Sequence, residues 1–328
     1  MIISKTPFRI SFVGGGSDLS DFYREEPGSV LCTSIDKYIY LSIHKYFHTG
    51  KQLLKYSRTE EVSSYDEIKH DIIREVFRYF KIGNSDFNST ADIPAGTGMG
   101  SSSAFTCGLI ILCAELQGLR FTKAEIARLA CYFEIELLNE PIGKQDQYGC
   151  AMGGLNLITF QPDEKVEIKH LSMANDKLNC LENNLFLYYT STTRKASSIL
   201  TEQKKSTATR KDIKSNLSMM AKMATDLYKE FLNGNVEILG EYLHEAWKRK
   251  KELSKNITNP AIDSLYDSGL VNGATGGKLL GAGGGGFMLF YVPENNHERF
   301  LRDMSKFRKF DFRFDYEGTS IVFNDQNF

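Results

Sequence analysis

Asp92-Ile93-Pro94-Ala95-Gly96-Thr97-Gly98-Met99-Gly100-Ser101-Ser102-Ser103-Ala104 is a proline-led, glycine-rich loop that runs directly into an apolar helical pattern. Gly96, Gly98 and Gly100 let the backbone turn through positive φ and approach a ligand closely. The following helix offers unpaired N–H groups and the positive end of its dipole, so an anion belongs at this junction. One helix-terminus charge interaction contributes only about 0.3–1 kcal/mol, up to about 2 when partly buried, so several donors must act together. Two common phosphate-loop patterns do not fit: no Lys precedes the serines as a Walker A loop requires, and the dinucleotide fingerprint is absent here. A plain helix cap after a tight turn is the structural alternative. One Ser suffices for a cap, however, and three stand here.

The chain has 328 residues, enough for two domains or one large one and for a core that needs no covalent staples. Hydrophobic residues make up 41% and charged residues 25%, with 22 Phe and 16 Tyr, which is a globular and not a disordered composition. A formal net charge of -1 gives no bulk attraction to nucleic acid or membrane, so binding of a polyanion has to be local. The six cysteines form no C-x-x-C pair and mostly lie among apolar neighbours, which points to a reducing cytoplasm. The N-terminus lacks the layout of a signal peptide, and no apolar run is long enough to span a bilayer.

From the N-terminus, residues 2–13 read as a strand that carries Arg9 and stops at Gly14-Gly15-Gly16, with Ser17-Asp18 as a helix-cap pair. Taken singly, Arg9 is a satisfied charge on a strand face and Asp18 an N-cap; the glycine triplet between them instead permits close approach by a ligand. Val30–Ile43 reads as two strands broken near Asp36-Lys37, and Asp66–Lys81 as an amphipathic helix. His44 and His48 flank a strand end, and no H-E-x-x-H occurs, so a histidine metal site is not expected.

Phe87–Ile93 reads as a strand feeding the glycine loop, and Ser101–Leu116 as a helix rich in small residues. Thr122 with Glu125 makes a capping box for a helix over Lys123–Leu138. Asn139–Gly149 is a Pro/Gly break followed by a polar cluster, in which Lys144 and Asp146 either form a solvated turn or serve a site. Gly153–Phe160, Lys165–His170 and Leu185–Tyr189 read as strands, and the polar Ser172–Asn184 as the domain boundary. The region 196–255 is helical, and its basic runs, including Lys248–Lys251, read as solvated faces and not as a nucleic-acid surface. In Gly276–Phe287, Gly281, Gly283 and Gly286 satisfy G-x-G-x-x-G formally, but an extended apolar strand follows and the dinucleotide context fails.

Together the three glycine stretches resemble the GHMP kinase superfamily, named for galactokinase, homoserine kinase, mevalonate kinase and phosphomevalonate kinase. The three motifs lie at Pro7–Asp18, Pro94–Ala104 and Lys278–Phe287, in the family's order, with Met99 where the family usually has Leu, a volume-conserving change. Pro7–Leu19 together with Ile142–Tyr148 is most similar to the branch that phosphorylates D-glycero-D-manno-heptose 7-phosphate. Galactokinases have Glu-His where this chain has Gly15-Gly16. The resemblance implies an α/β (α+β) fold of two domains, residues 1–175 carrying the phosphate loop and residues 176–328 ferredoxin-like, with ATP and a sugar phosphate at their interface.

Residue by residue, the resemblance implies that Pro94, Gly96, Gly98, Gly100, Ser101, Ser102 and Ser103 hold the ATP phosphates. Ser102 with Glu134 would hold Mg²⁺, Glu134 being preferred over Glu136 by its spacing to Pro141 and Asp146. Asp146 would accept the proton of the anomeric hydroxyl, and Arg9 would neutralise charge beside it. Gly15, Gly16, Ser17, Asp18, Thr193, Gly283 and Gly284 would contact the substrate; a substrate that already carries a phosphate needs a second anion site, which Lys144, Arg194 or Lys195 could supply. A kinase for another sugar such as L-fucose, or a noncatalytic sugar- and ATP-binding sensor, is the alternative, and assembly as monomer or homodimer is left open. On the heptose reading the product is the 1,7-bisphosphate, on the way to activated heptose for surface polysaccharide.

Overall fold

The structure, a computed structural model, describes residues 1–191, 201, 210–254 and 256–325. Strand β1 (Ile2–Val13) is buried along nearly its whole length, and β2 (Gly28–Lys45) pairs with it antiparallel from Ile2↔Ile43 to Val13↔Leu31. A single strand therefore runs where a break was expected. The expected break survives as a bulge: Pro7 pairs with Tyr38 and Phe8 with Ile35, leaving Asp36 and Lys37 outside the ladder. The extra residues receive the C-terminal segment, since Asp36 N–H donates to Arg313 O and Arg313 N–H to Asp36 Oδ1, both at 2.8 Å.

The first sheet runs β12 (Ser320–Asn324), β1, β2, β5 (Ser85–Ala91), β3 (Gln52–Lys55), β4 (Thr59–Val62). β6 (Leu155–Phe160) pairs with the other end of β2 and with β7 (Val166–His170). Helix α1 (Ser20–Tyr23) is one turn, and α2 (Asp71–Phe80) starts later than its periodicity predicts, after a short 3₁₀ turn at Tyr65–Glu67. Helix α3 (Ser101–Leu116) lies against β1, and small residues set the distance. A Cβ on Gly108 would stand 2.9 Å from Thr6 Oγ1, and Ser4 Oγ donates to Gly108 O at 2.9 Å.

The capping box forms as expected at α4 (Lys123–Cys131), but the helix continues as one π turn, Tyr132–Leu137, and ends there. Helix α5 (Gln145–Met152) occupies what the sequence reads as a polar cluster after the Pro141 and Gly143 break. Helix α6 (Asn175–Asn183) fills the stretch expected to be a boundary.

The second sheet has the order β11 (Arg308–Phe310), β8 (Leu185–Tyr189), β10 (Phe287–Tyr291), β9 (Gly276–Leu279). The helices of this half are α7 (Lys211–Leu232), α8 (Leu239–Leu253), α9 (Pro260–Val271) and α10 (His297–Asp303). Trp247, Tyr266, Phe290 and Phe300 form its aromatic core. The chain then returns to the first sheet, where Thr319 Oγ1 meets Thr6 Oγ1 at 2.7 Å and β12 pairs with β1. The division into residues 1–175 and 176–328 is offered as a proposal, with β12 crossing back; limited proteolysis that cuts well inside either span and leaves the 175/176 region intact would contradict it.

Two glycine loops hold the halves together. A Cβ on Gly281 (φ 67°) would stand 2.3 Å from Gly98 Cα, and one on Gly98 (φ 79°) would stand 2.7 Å from Leu280 O. Both obstacles are backbone and cannot swing aside. Gly281→Ala is expected to lower stability by about 1–3 kcal/mol, the scale of a strained backbone position, and to weaken nucleotide binding. Thermal unfolding together with calorimetric titration checks this; wild-type values for both would show that the loops are not in contact.

Candidate active site

No side chain caps α3: its N-cap is Gly100, and the first intrahelical bond near the loop runs from Ala104 N–H to Gly100 O at 2.8 Å. The cap reading of the three serines therefore fails. Ser102 Oγ instead donates to Glu134 Oε1 at 2.7 Å. Pro94, Gly96, Gly98, Gly100 and Ser101–Ser103 line a cavity of about 920 Å³. A helix start whose N–H groups face a cavity is an anion site.

Arg9 and Asp146 stand across this loop. β1 buries Arg9 to 1% exposure, and its stem passes between Gly100 and Gly149, where Cβ atoms would stand 3.3 and 3.2 Å from its Cγ. Its Nε and Nη2 donate to Asp146 Oδ1 at 2.9 and 2.6 Å, and Nη1 donates to Gly98 O at 2.8 Å. Burial opposes the guanidinium's charge, but the Asp146 carboxylate outweighs it and holds Arg9 above its ordinary value. Asp146 lies in the first turn of α5 and faces the cavity with its side chain 28% exposed.

The Gly14–Gly16 turn brings Asp18 to the same place, though not as a cap, since the N-cap of α1 is Leu19. Asp18 Oδ1 accepts from Gly16 N–H at 2.9 Å and Oδ2 from Gln145 N–H at 3.1 Å, which joins the turn to the start of α5. Burial first, and then the charge of Asp146, push the Asp18 carboxyl up, against these two bonds. Gly15 and Gly16 line the cavity beside it. Ser17, expected there too, turns inward: its Oγ donates to Gly14 O at 2.8 Å and accepts from Ser29 N–H at 3.0 Å, fastening the turn to β2.

Glu134 sits in the π turn and is fully buried, while Glu136 is exposed. Gln147 Nε2 donates to Glu134 Oε2 at 2.7 Å, so both carboxylate oxygens are bonded. Burial pushes Glu134 up, opposed by the bonds from Ser102 and Gln147. Among the described residues no cluster of three or more His, Cys, Asp or Glu is placed to hold a metal ion.

Other expected residues lie elsewhere. Gly283 and Gly284 pack on Ile257, with Gly284 N–H donating to Ile257 O at 2.8 Å, and the cavity lining takes Gly281 and Ala282 instead. Lys144 Nζ donates to Glu164 Oε2 at 2.5 Å and stands 4.7 Å over the Tyr23 ring. Thr193, Arg194 and Lys195 fall outside the described residues.

Sequence reasoning misses two cations in the lining. Lys250, read as part of a solvated run, is buried because it shares the inner face of α8 with Leu243, Ala246, Trp247 and Leu253. The helical spacing of those residues is the signal that finds it. Its Nζ donates to Leu279 O at 2.8 Å and Gly281 O at 2.5 Å. Lys278, on β9, donates to Ser11 O and Phe12 O at 3.0 and 2.9 Å, and burial pulls it down to about 7, with Arg9 contributing. Ser11 and Gln145 line the cavity, and Ser11 Oγ and Gln145 Oε1 are buried without a bonding partner among the described residues. At another part of the lining His70 stacks on Phe105 at 5.1 Å, and Tyr56 meets His70 edge-on at 5.0 Å.

Residues 68–154 match the family profile described as GHMP kinases N terminal domain, and residues 227–309 match GHMP kinases C terminal. The chain is 29% identical over 332 residues to D-glycero-alpha-D-manno-heptose 7-phosphate kinase of Campylobacter jejuni, covering 97% of each chain. It is 26% identical to L-fucokinase/L-fucose-1-P guanylyltransferase of Bacteroides fragilis, over 90% of this chain and 35% of that protein. The crystal structure of a D-glycero-D-manno-heptose 1-phosphate kinase from Bacteriodes thetaiotaomicron superposes with a TM-score of 0.81 at 24% identity, covering 99% of this chain and 100% of that one, a likeness of fold. Among the described residues no helix is long and apolar enough to cross a membrane.

Arg9→Met removes the charge beside Asp146 and the clamp on Gly98 O. Turnover is expected to fall about 10²–10³-fold, the scale of losing one preorganised electrostatic contact, with the protein still folded. Steady-state kinetics and circular dichroism check this, and unchanged turnover would remove Arg9 from the site.

Proposed function

The chain belongs to the GHMP kinase family, and from that premise we propose that its acceptor is D-glycero-D-manno-heptose 7-phosphate, phosphorylated on the anomeric hydroxyl to the 1,7-bisphosphate. As a GHMP kinase it is an ATP-dependent phosphotransferase with an alcohol group as acceptor, of the sugar-kinase type. The observation that carries the reading is the meeting of the phosphate loop with the Arg9–Asp146 pair across one cavity. The full-length likeness to the Campylobacter heptose 7-phosphate kinase supports the choice of acceptor.

On this reading Arg9 fixes Asp146 Oδ1, and the carboxylate takes the proton of the anomeric hydroxyl. The hydroxyl oxygen bonds to the γ-phosphorus while the bond to the β–γ bridging oxygen breaks, and that electron pair leaves with ADP. Phosphoryl transfer of this kind is loose, so positioning and charge stabilisation dominate over base strength. Asp18 faces the sugar hydroxyls from the glycine turn.

Ser102, at the start of α3, lines the cavity, and the buried Glu134 carboxylate stands behind it, bonded to Ser102 Oγ and Gln147 Nε2. One hydroxyl and one carboxylate suit Mg²⁺, which keeps several waters and takes phosphate oxygens for the rest, so these two residues would hold it. When bound it supplies charge neutralisation on the β and γ oxygens. For the acceptor's own phosphate we propose Lys144, whose Nζ would exchange Glu164 for the phosphate, or Arg194, outside the described residues, whose bidentate fork suits that role.

A panel of sugars and sugar phosphates in an ATP-consumption assay tests the reading. The highest kcat/KM is expected with heptose 7-phosphate; highest activity with L-fucose would move the assignment to that sugar, and none with any acceptor would favour a sensor. Asp146→Asn is expected to lose about 10²–10⁴-fold in turnover, as for removal of a general base, and to keep ATP binding. Near-normal turnover in that variant would sink the base assignment. If Lys144→Ala and Arg194→Ala leave the preference for phosphorylated over free heptose unchanged, the phosphate site lies elsewhere.

A further inference from the structure

Arg9 has a carboxylate partner, whereas Lys250 and Lys278 have none among the described residues, although both line the same cavity. A buried ammonium without a counter-charge is unfavourable, and each carries three donors. Each lysine has two of them on backbone carbonyls. The position of Lys250 is specific. It holds Gly281 O, Gly281 touches Gly98 on the other loop, and Arg9, on β1, holds Gly98 O. Lys250 and Arg9 therefore flank the junction of the two glycine loops, beside the start of α3.

We propose that Lys250 donates its third N–H to the transferring γ-phosphoryl group, supplying from the C-terminal half a positive charge opposite the N–H groups of the phosphate loop. This rests on the phosphotransferase reading above. Burial, and then the charges of Lys278 and Arg9, hold the lysine well below its usual range, a situation that an entering anion relieves. No other residue on the inner face of α8 is charged, since its neighbours there are Leu243, Ala246, Trp247 and Leu253. The backbone carbonyl bonds keep the ammonium aimed at the junction before nucleotide arrives, which is electrostatic preorganisation.

The test compares dissociation constants for Mg²⁺-AMP-PNP and Mg²⁺-ADP on the full chain carrying Lys250→Gln or Lys250→Met. Gln keeps a donor for the carbonyls without the charge, and Met keeps the unbranched stem without either. Thermal unfolding identifies the variant to be read. The expected result is AMP-PNP weakened about tenfold or more, as for loss of a charge-assisted bond, with ADP within about twofold of wild type. Equal weakening of both nucleotides would mean that Lys250 only staples the loop, and an unweakened AMP-PNP would mean that it does not reach the phosphoryl; either result overturns the proposal. No acceptor is needed, so a wrong acceptor leaves the test intact, and failure of the wild type to bind either nucleotide would instead count against the phosphotransferase reading.

Discussion

The fold of the site depends on one buried guanidinium. Arg9 is out of solvent and held by three donations, two to Asp146 and one to Gly98 O. Desolvating such a charge is unfavourable unless it is paired and fully bonded. Satisfying it draws together β1, the phosphate loop and the first turn of α5, which are far apart in the chain. Gly100 and Gly149 make room for its stem, so a glycine of the second motif serves the arginine as well as the turn.

The second constraint is steric. The Gly98 and Gly281 loops approach until no Cβ fits between them, and Gly286 lies against Thr97, where a Cβ would stand 2.2 Å from its carbonyl oxygen. The cavity thus lies at a seam between two sheets: one hydrophobic core runs from the first sheet across the seam to Leu187 and Leu289, and a second, aromatic one packs on the other face of the second sheet. Cations reach this seam from both sides: Arg9 from the first sheet, and Lys278 and Lys250 from the second sheet and its helix.

Much of this was legible in the sequence where local chemistry decides. α3 spans the expected Ser101–Leu116, the capping box at Thr122 forms, and the apolar runs at β1, β8 and β10 are buried strands. Partners distant in the chain were not legible. The bulge at Asp36–Lys37 exists because the segment around Arg313 docks there. Asp18 left the role of cap because Gln145 N–H offers a second bond. α5 is hidden because its first turn is polar and follows a Pro/Gly break, and Lys250 because it sits in a basic run typical of a solvated face while its helical phase points inward. Ser17, Gly283 and Gly284 were placed with the site by their motifs, but their bonds serve the turns that shape it.

The most direct measurement is proton-coupled ³¹P NMR of the product formed from ATP, Mg²⁺ and D-glycero-D-manno-heptose 7-phosphate. Transfer to the anomeric oxygen gives a second sugar phosphate signal, split by the anomeric proton, growing in step with ADP and at least about a hundredfold more slowly when Asp146→Asn replaces the wild type. Release of inorganic phosphate alone, or a new phosphate coupled to any other ring proton, would contradict transfer to the anomeric oxygen.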